Sequence, residues 1–369
     1  MKVFIHIGPH PQYKELVDYP PPGVEYEIRG KSGVSDYYSS NINKLRRVTN
    51  KIIKFTGVPR LNYYKTNADI IFSTRGIIPL TTKPWVAEIE HPYAFVGMDY
   101  KNWGKIQKAW VKTFLRMRYC KTIMPNSTGA YVALKNSFDI SNIENKIETV
   151  YLSIHYKKII KTKHRGIRLL TITNEAYQRG FNIIKDIYPL LKRKYGVEWT
   201  IKSNTTFSKS DSNFIKKYGV RVVNELLSQK EMDALYGSSD IFLYPSFVDI
   251  NAIVTYEAMR AGMPVVAMDT YGFRDKILPY KNGLLIKDSG LFWNKEFLRT
   301  GYCEGDFFST YHNKKMSSEL YDKLEYLIVH DKERLKMGKN AAAAIKNGFL
   351  SIKVRNKKLK DIFERALGR

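Results

Sequence analysis

The chain has 369 residues, 44% of them hydrophobic and 13% aromatic, enough to bury two cores of ordinary size and too apolar for a disordered polymer. Lysine and arginine number 61 against 35 acidic residues, a formal net charge of +26, which favours anionic partners without choosing among nucleic acid, acidic lipid and phosphorylated substrates. No apolar run has the length of a membrane span, and the two cysteines, Cys120 and Cys303, show neither metal-type nor redox-type spacing, so a cytoplasmic location is expected.

From the N-terminus, a short apolar run that stops at Gly8-Pro9 predicts a first buried strand over Val3–Ile7 and is too short for a signal peptide. The segment Gln12–Gly33, with Pro20-Pro-Pro-Gly23, reads as irregular connection. Further strands are predicted at Asp69–Ser73, Trp85–Ile89 and Thr122–Pro125. Between the last two, Lys101–Arg118 reads as an amphipathic helix. Its wheel gathers Trp103, Ile106, Trp110, Phe114 and Met117 on one stripe and Lys101, Lys105, Lys108, Lys112 and Arg116 opposite. Such a helix either packs its stripe on its own domain or lies on acidic lipid, which would place the protein on the inner face of the membrane.

The basic stretch Tyr156–Gly166 is read as the interdomain linker. Beyond it strand-like runs at Ile167–Thr173, Trp199–Ser203, Val220–Val223, Asp240–Tyr244 and Pro264–Met268 alternate with helical stretches near Phe181–Lys194, Asp211–Tyr218, Gln229–Gly237 and Ala252–Ala261. That alternation is the signature of a parallel sheet covered on both faces, with its ligand at the carboxyl ends of the strands. Two or three helices are expected from Ser317 to Arg369.

The stretch Asp240–Pro264 carries the most chemistry. A buried strand ends at Pro245-Ser246, a short loop bears Asp249, and a helix is predicted to begin near Asn251. The first N–H groups of a helix have no partner within it and its dipole is positive there, so this start suits an anion. Glu257, about two turns in, has a carboxylate able to accept both hydroxyls of a ribose, and Asp249 is able to accept sugar hydroxyls. Each also has a plainer reading, Glu257 as a solvated surface charge and Asp249 as a helix N-cap.

These residues resemble the donor-binding motif of retaining, family-4 type glycosyltransferases (group 1) of the GT-B fold: Pro-Ser, an acidic residue, seven residues, Glu-Ala-Met and Gly-x-Pro. Ser228–Tyr236, Thr270–Asp275 and Asn282–Leu285 extend the resemblance, which covers roughly residues 120 to 290. It implies an α/β protein of two Rossmann-like domains facing across a cleft: an acceptor-binding domain over 1–160, a nucleotide-sugar domain over 161–345 and a C-terminal helix, 346–369, that returns to the first domain.

By the same resemblance Glu257 holds the ribose, Asp249 contacts the donor sugar, and the N–H groups of Asn251, Ala252 and Ile253, with Ser246, meet the diphosphate. Arg179 supplies a cation to that diphosphate, and His91 faces the donor sugar. The family's Gly-Arg after the first strand of the domain is replaced by Ile172-Thr-Asn-Glu175, which puts Asn174 at that position and leaves the charge to Arg179 with help from Lys202. Asp249 stands where Glu is usual, and Asn251 where the family has Gly.

The implied activity is transfer of a sugar from a nucleoside-diphosphate sugar to a glycan, lipid-linked or protein acceptor, with retention. No Asp-x-Asp pair is present to hold a divalent ion, so neither metal nor cofactor is expected. The alternatives are a nucleic-acid-binding protein that works through its basic surface, for which no recognised module is found, and a GT-B-type epimerase or phosphorylase.

Overall fold

The N-terminal run Val-Phe-Ile forms the middle of a strand because both of its faces are covered: Val3, Phe4 and Ile5 are all buried in the computed structural model, which describes residues 1–8, 10–30, 48, 51–52, 55–98, 100–299 and 306–369. Cys303 and residues 31–33 of the first predicted connection lie outside that description. The described chain divides into two units, Met1–His155 with Phe349–Arg369, and Tyr156–Gly348.

In the first unit the strands are β1 (Lys2–His6), β2 (Glu25–Arg29), β3 (Leu61–Asn62), β4 (Ile70–Ser73), β5 (Ile78–Pro79), β6 (Trp85–Ile89) and β7 (Cys120–Pro125). Five of them make one parallel sheet in the order β2-β1-β4-β6-β7, while β3 and β5 pair separately. The order reverses between β1 and β4, because β2 lies on one side of β1 and every later strand on the other.

The segment read as irregular connection is structured. It contains a helix over Gln12–Asp18, whose Gln12, Tyr13 and Leu16 are buried at helical spacing, and the edge strand β2. An edge strand with no fully buried residue gives little periodic signal, and the prolines fill only the short link between the two elements.

The predicted amphipathic helix also changes. It spans Lys105–Arg116 and buries Gln107, Val111, Phe114 and Leu115, whereas Ile106, Trp110 and Met117 are 63%, 43% and 43% exposed. Trp103 lies before the helix and stacks on Phe95, so the wheel drawn from it was out of phase with the packed face.

The last helix, Ile352–Ala366, completes the first unit. Leu359, Ile362 and Phe363 enter its core, with the Phe363 ring 5.6 Å from that of Phe72. Arg355 anchors the same helix by donating to the backbone oxygens of Glu15 and Tyr19.

The second unit has β8 (Arg168–Ile172), β9 (Glu198–Lys202), β10 (Arg221–Val223), β11 (Ile241–Tyr244), β12 (Val265–Met268) and β13 (Gly283–Ile286), all parallel in the order β10-β9-β8-β11-β12-β13. The helices Phe181–Tyr195, Lys209–Tyr218, Gln229–Gly237 and Ile253–Arg260 connect these strands, and Lys314–Val329 and Asp331–Lys346 follow. Parallel neighbours require such crossovers, and the strands buried on both faces read as continuous apolar runs, as Ile241–Tyr244 does. Both units are therefore Rossmann-like α/β layers. No helix among the described residues is long and apolar enough to cross a membrane.

Candidate functional site

In the second sheet the strand order reverses between β8 and β11. Ligands of open α/β sheets bind at that point. The loop after β8 runs to Gly180, and the loop after β11 runs from Pro245 to Ala252.

The two loops touch because Gly180 has no side chain. Its φ is +83°, and a Cβ there would lie 2.6 Å from the Pro245 carbonyl oxygen. The backbone N–H of Phe247 donates to the Gln178 oxygen at 3.1 Å and fixes the same approach. Arg179 is thereby delivered to the β11 loop. Its Nη1 donates to Ser246 Oγ at 3.2 Å, its Nε lies 3.4 Å from Asp249 Oδ2, and its guanidinium sits 5.9 Å over the Tyr244 ring. Burial opposes that positive charge, but the neighbouring Tyr244, Asp249 and Glu175 outweigh it, so the arginine holds its proton more tightly than usual.

Asp249 is held on three sides. Tyr244 Oη donates to its Oδ2 at 2.7 Å, the Asn251 backbone N–H donates to its Oδ1 at 3.0 Å, and Arg179 balances its charge. The helix that follows starts at Ile253, close to the expected position near Asn251, with Ala252 as an N-cap that offers no side-chain acceptor. Of the three N–H groups expected to face an anion, that of Asn251 is thus already engaged by Asp249, and the uncapped helix start begins beyond it. Glu257, half-buried on this helix, accepts from the hydroxyl of the fully buried Tyr236 at 2.7 Å.

Beneath the loop lies a residue that the sequence did not single out. Lys276 is 1% exposed, its ammonium 4.7 Å from the ring centres of both Tyr256 and Phe273 and 3.3 Å from Asn251 Oδ1. Burial drives its pKa down to about 7 against the opposing pull of Asp249 and Asp275. The Nδ2 of Asn251 and the Oγ1 of Thr270, both buried, meet no hydrogen-bond partner among the described residues. Lys276 had one legible sign: it sits three residues after the buried Phe273 in the four-residue helix Phe273–Lys276, on the inward side.

The other expected residues lie around this cluster or apart from it. Lys202 ends β9; partial burial lowers its pKa, with Glu225 opposing. Asn174 follows β8, and its backbone oxygen accepts from Thr205 Oγ1 at 3.1 Å. His91 belongs to the first unit, where it caps the 3-10 turn Pro92–Val96. Its ring is buried and its Nδ1 accepts from the Tyr93 N–H at 3.1 Å, which leaves the proton of the neutral ring on Nε2. The sequence-predicted Arg179, Ser246, Asp249, Asn251, Ala252 and Ile253 are brought together at one strand end, Glu257 follows on their helix, and Tyr236, Tyr244 and Lys276 join them.

Comparison with known proteins points the same way. Residues 155–290 match the family model described as Glycosyl transferases group 1. Over 152 residues the chain is 29% identical to a glycogen synthase of Clostridioides difficile (strain 630), a stretch that is 39% of this chain and 30% of that enzyme. Over 57 residues, 15% of either chain, it is 39% identical to a GDP-mannose-dependent alpha-mannosyltransferase of Mycobacterium tuberculosis (strain CDC 1551 / Oshkosh). The matches therefore span well under two thirds of these relatives. The structure of HepE from Anabaena in complex with UDP shares the fold, with a TM-score of 0.62 at 13% identity over 99% of both chains.

Proposed function

We propose that this chain, whose residues 155–290 match the group 1 glycosyltransferase model, moves a sugar from a nucleoside-diphosphate sugar to an acceptor hydroxyl with retention and without a metal ion. The observation that carries the reading is Arg179, a half-buried guanidinium held by Ser246 and Asp249 beside an uncapped helix start at the switch point of the sheet.

In this scheme the bond from the anomeric carbon to the diphosphate oxygen breaks and its electron pair leaves on the diphosphate. Arg179 and the helix start stabilise the charge as it develops, which is where electrostatic catalysis acts. The acceptor oxygen bonds to the same face of the carbon, and its proton passes to the departing diphosphate oxygen. Glu257, oriented by Tyr236, accepts the ribose hydroxyls. Asp249 is assigned to the sugar, with Lys202 and Asn174 at the margin of the site.

UDP in the HepE complex and GDP-mannose in the name of the mycobacterial relative suggest the first nucleotides to try. With EDTA present, one nucleotide at about a hundred times its Kd should stabilise the chain by about 2.7 kcal/mol, and Glu257→Ala should abolish that gain. No thermal shift with UDP, GDP, ADP or their sugar conjugates would refute the reading.

The acceptor is a glycan, a lipid-linked glycan or a protein. A lipid-linked one is favoured by the exposed Ile106, Trp110 and Met117 beside Lys105, Arg116 and Arg118, a surface suited to the anionic inner face of a membrane. Trp110→Glu should then reduce sedimentation with anionic liposomes several-fold, and unchanged sedimentation would remove the membrane part.

A further inference from the structure

The loop after β11 is gripped at two points, and both grips come from the chain beyond β12. Near the end of the loop Lys276 donates to Asn251 Oδ1 at 3.3 Å. Near its start the indole N–H of Trp293 donates to the Phe247 backbone oxygen at 2.7 Å. Ser246 adjoins this second grip and Asp249 lies between the two, so both partners of Arg179 belong to the stretch that is held.

Phe247 is the junction. Its N–H donates to the Gln178 oxygen in the loop after β8, its own oxygen accepts from Trp293, and its buried ring lies 4.9 Å from that of Phe292. A shift of this residue passes to Ser246 one position back and to Asp249 two positions on.

Trp293 begins a hairpin of β14 (Trp293–Asn294) and β15 (Phe297–Leu298), which forms a two-stranded sheet apart from the six parallel strands. The turn residues Lys295 and Glu296 hold φ at +49° and +64°, the backbone that a two-residue hairpin turn requires. A hairpin this short does not order itself, so its place is set by what it touches. The indole stacks on the Tyr271 ring, centres 5.2 Å apart. Arg274 joins Asp269 to the turn, its Nε 2.7 Å from Asp269 Oδ1 and its Nη1 2.7 Å from Glu296 Oε1. Tyr271 is buried and holds φ at +31°, a left-handed backbone that a residue with a Cβ keeps only where its surroundings fix it. The loop after β12 and the hairpin thus make one braced unit, and the indole N–H is its hold on the loop after β11.

We propose that Trp293 is a positioning residue for the site at the β8/β11 reversal: through Phe247 it keeps Ser246 and Asp249 where Arg179 meets them, and so aims Arg179 at the leaving diphosphate. The diphosphate in this statement rests on the glycosyl-transfer reading; the coupling of Trp293 to Arg179 rests on the contacts alone.

Trp293→Phe removes the N–H donor and keeps a ring against Tyr271. The first readout is the Arg179 Nε–H signal in proton–nitrogen correlation spectra of the full chain. The indole N–H of Trp199, which donates to Thr171 Oγ1 in the core at 3.1 Å, is the internal reference. In Trp293→Phe the Arg179 hydrogen should exchange with solvent at least about tenfold faster, while the Trp199 signal stays in place. Turnover of the UDP or GDP sugar that stabilises the wild type should fall about tenfold, with the stabilisation by that nucleotide retained, because Glu257 lies outside the held stretch. Arg274→Gln, at an exposed position, should move both readouts in the same direction by about threefold. An unmoved Arg179 signal, or Arg179 and Trp199 signals that change together, overturns the proposal. An Arg179 signal that moves in a chain stabilised by no nucleotide keeps the positioning role and discards the glycosyl-transfer reading.

Discussion

Lys276→Met tests whether the buried ammonium under the Asp249–Asn251 loop is the strained charge that its surroundings indicate. The two side chains have similar length, so the packing against Tyr256 and Phe273 is kept while the charge goes. In the unfolded chain a lysine titrates near 10.5; in the folded chain Lys276 titrates near 7, lowered by burial and only partly rescued by Asp249 and Asp275. Between those values the unfolded state binds one proton more than the folded state, so wild-type stability rises with pH across the window. Above it the buried amine is neutral and carries no charge penalty; as pH falls to 7 the penalty is in place.

From about pH 9.5 down to about pH 7 the wild type should lose about 3 kcal/mol that Lys276→Met does not lose. For a unit of this size that corresponds to a difference of roughly 5–10 °C in Tm, readable by calorimetry of the full chain at several pH values. The lost hydrogen bond to Asn251 offsets the variant's curve by a constant and leaves its slope alone. Parallel wild-type and variant curves across the window would refute the reasoning. Nucleotide affinity should fall in the variant at every pH, because Asn251 loses the donor that positions its loop.

Gly180→Ala puts a methyl group 2.6 Å from the Pro245 oxygen at a φ of +83°; it should cost about 2–4 kcal/mol in urea titrations and lower turnover at least about tenfold by displacing Arg179. Arg179→Lys keeps a charge but cannot serve Ser246 and Asp249 together, so kcat should fall by about 10–100-fold with little change in KM for the donor. Tyr236→Phe removes the donor to Glu257, worth about 1 kcal/mol, and should raise the donor KM roughly five-fold at constant kcat; an unchanged KM would separate Glu257 from ribose binding.

The second unit was legible because its strands are buried on both faces and read as unbroken apolar runs, and because Ser246, Asp249 and Glu257 lie within twelve residues of one another in sequence. What escaped is what side-chain identity conceals. Asp249 announces a carboxylate but not that Tyr244 and the Asn251 N–H already use it, which only the closed loop reveals. Lys276 belongs to a residue type that is almost never buried, so its spacing from Phe273 is the one sign in the sequence that it lies inside. In the first unit the edge strand β2 and the phase of the helix Lys105–Arg116 were misread for a common reason: each is decided by its neighbour in space. β2 is ordered by pairing with β1 along Lys2–His6, and the helix is turned by packing on β7.

The two reversals of strand order obey one rule at very different sequence distances. At the β8/β11 reversal a glycine without a Cβ, Gly180, lets one loop meet the next and brings in Arg179. At the β1/β4 reversal Gly8 does the same for Arg75. The first case carries a motif because its loop and helix are continuous in the chain. The second has none, since His6, Arg29 and Arg75 are scattered over seventy residues and share a location only through the order β2-β1-β4. A parallel sheet forces that outcome: every strand delivers its following loop to the same edge, so residues remote in sequence meet there without any pattern to mark them.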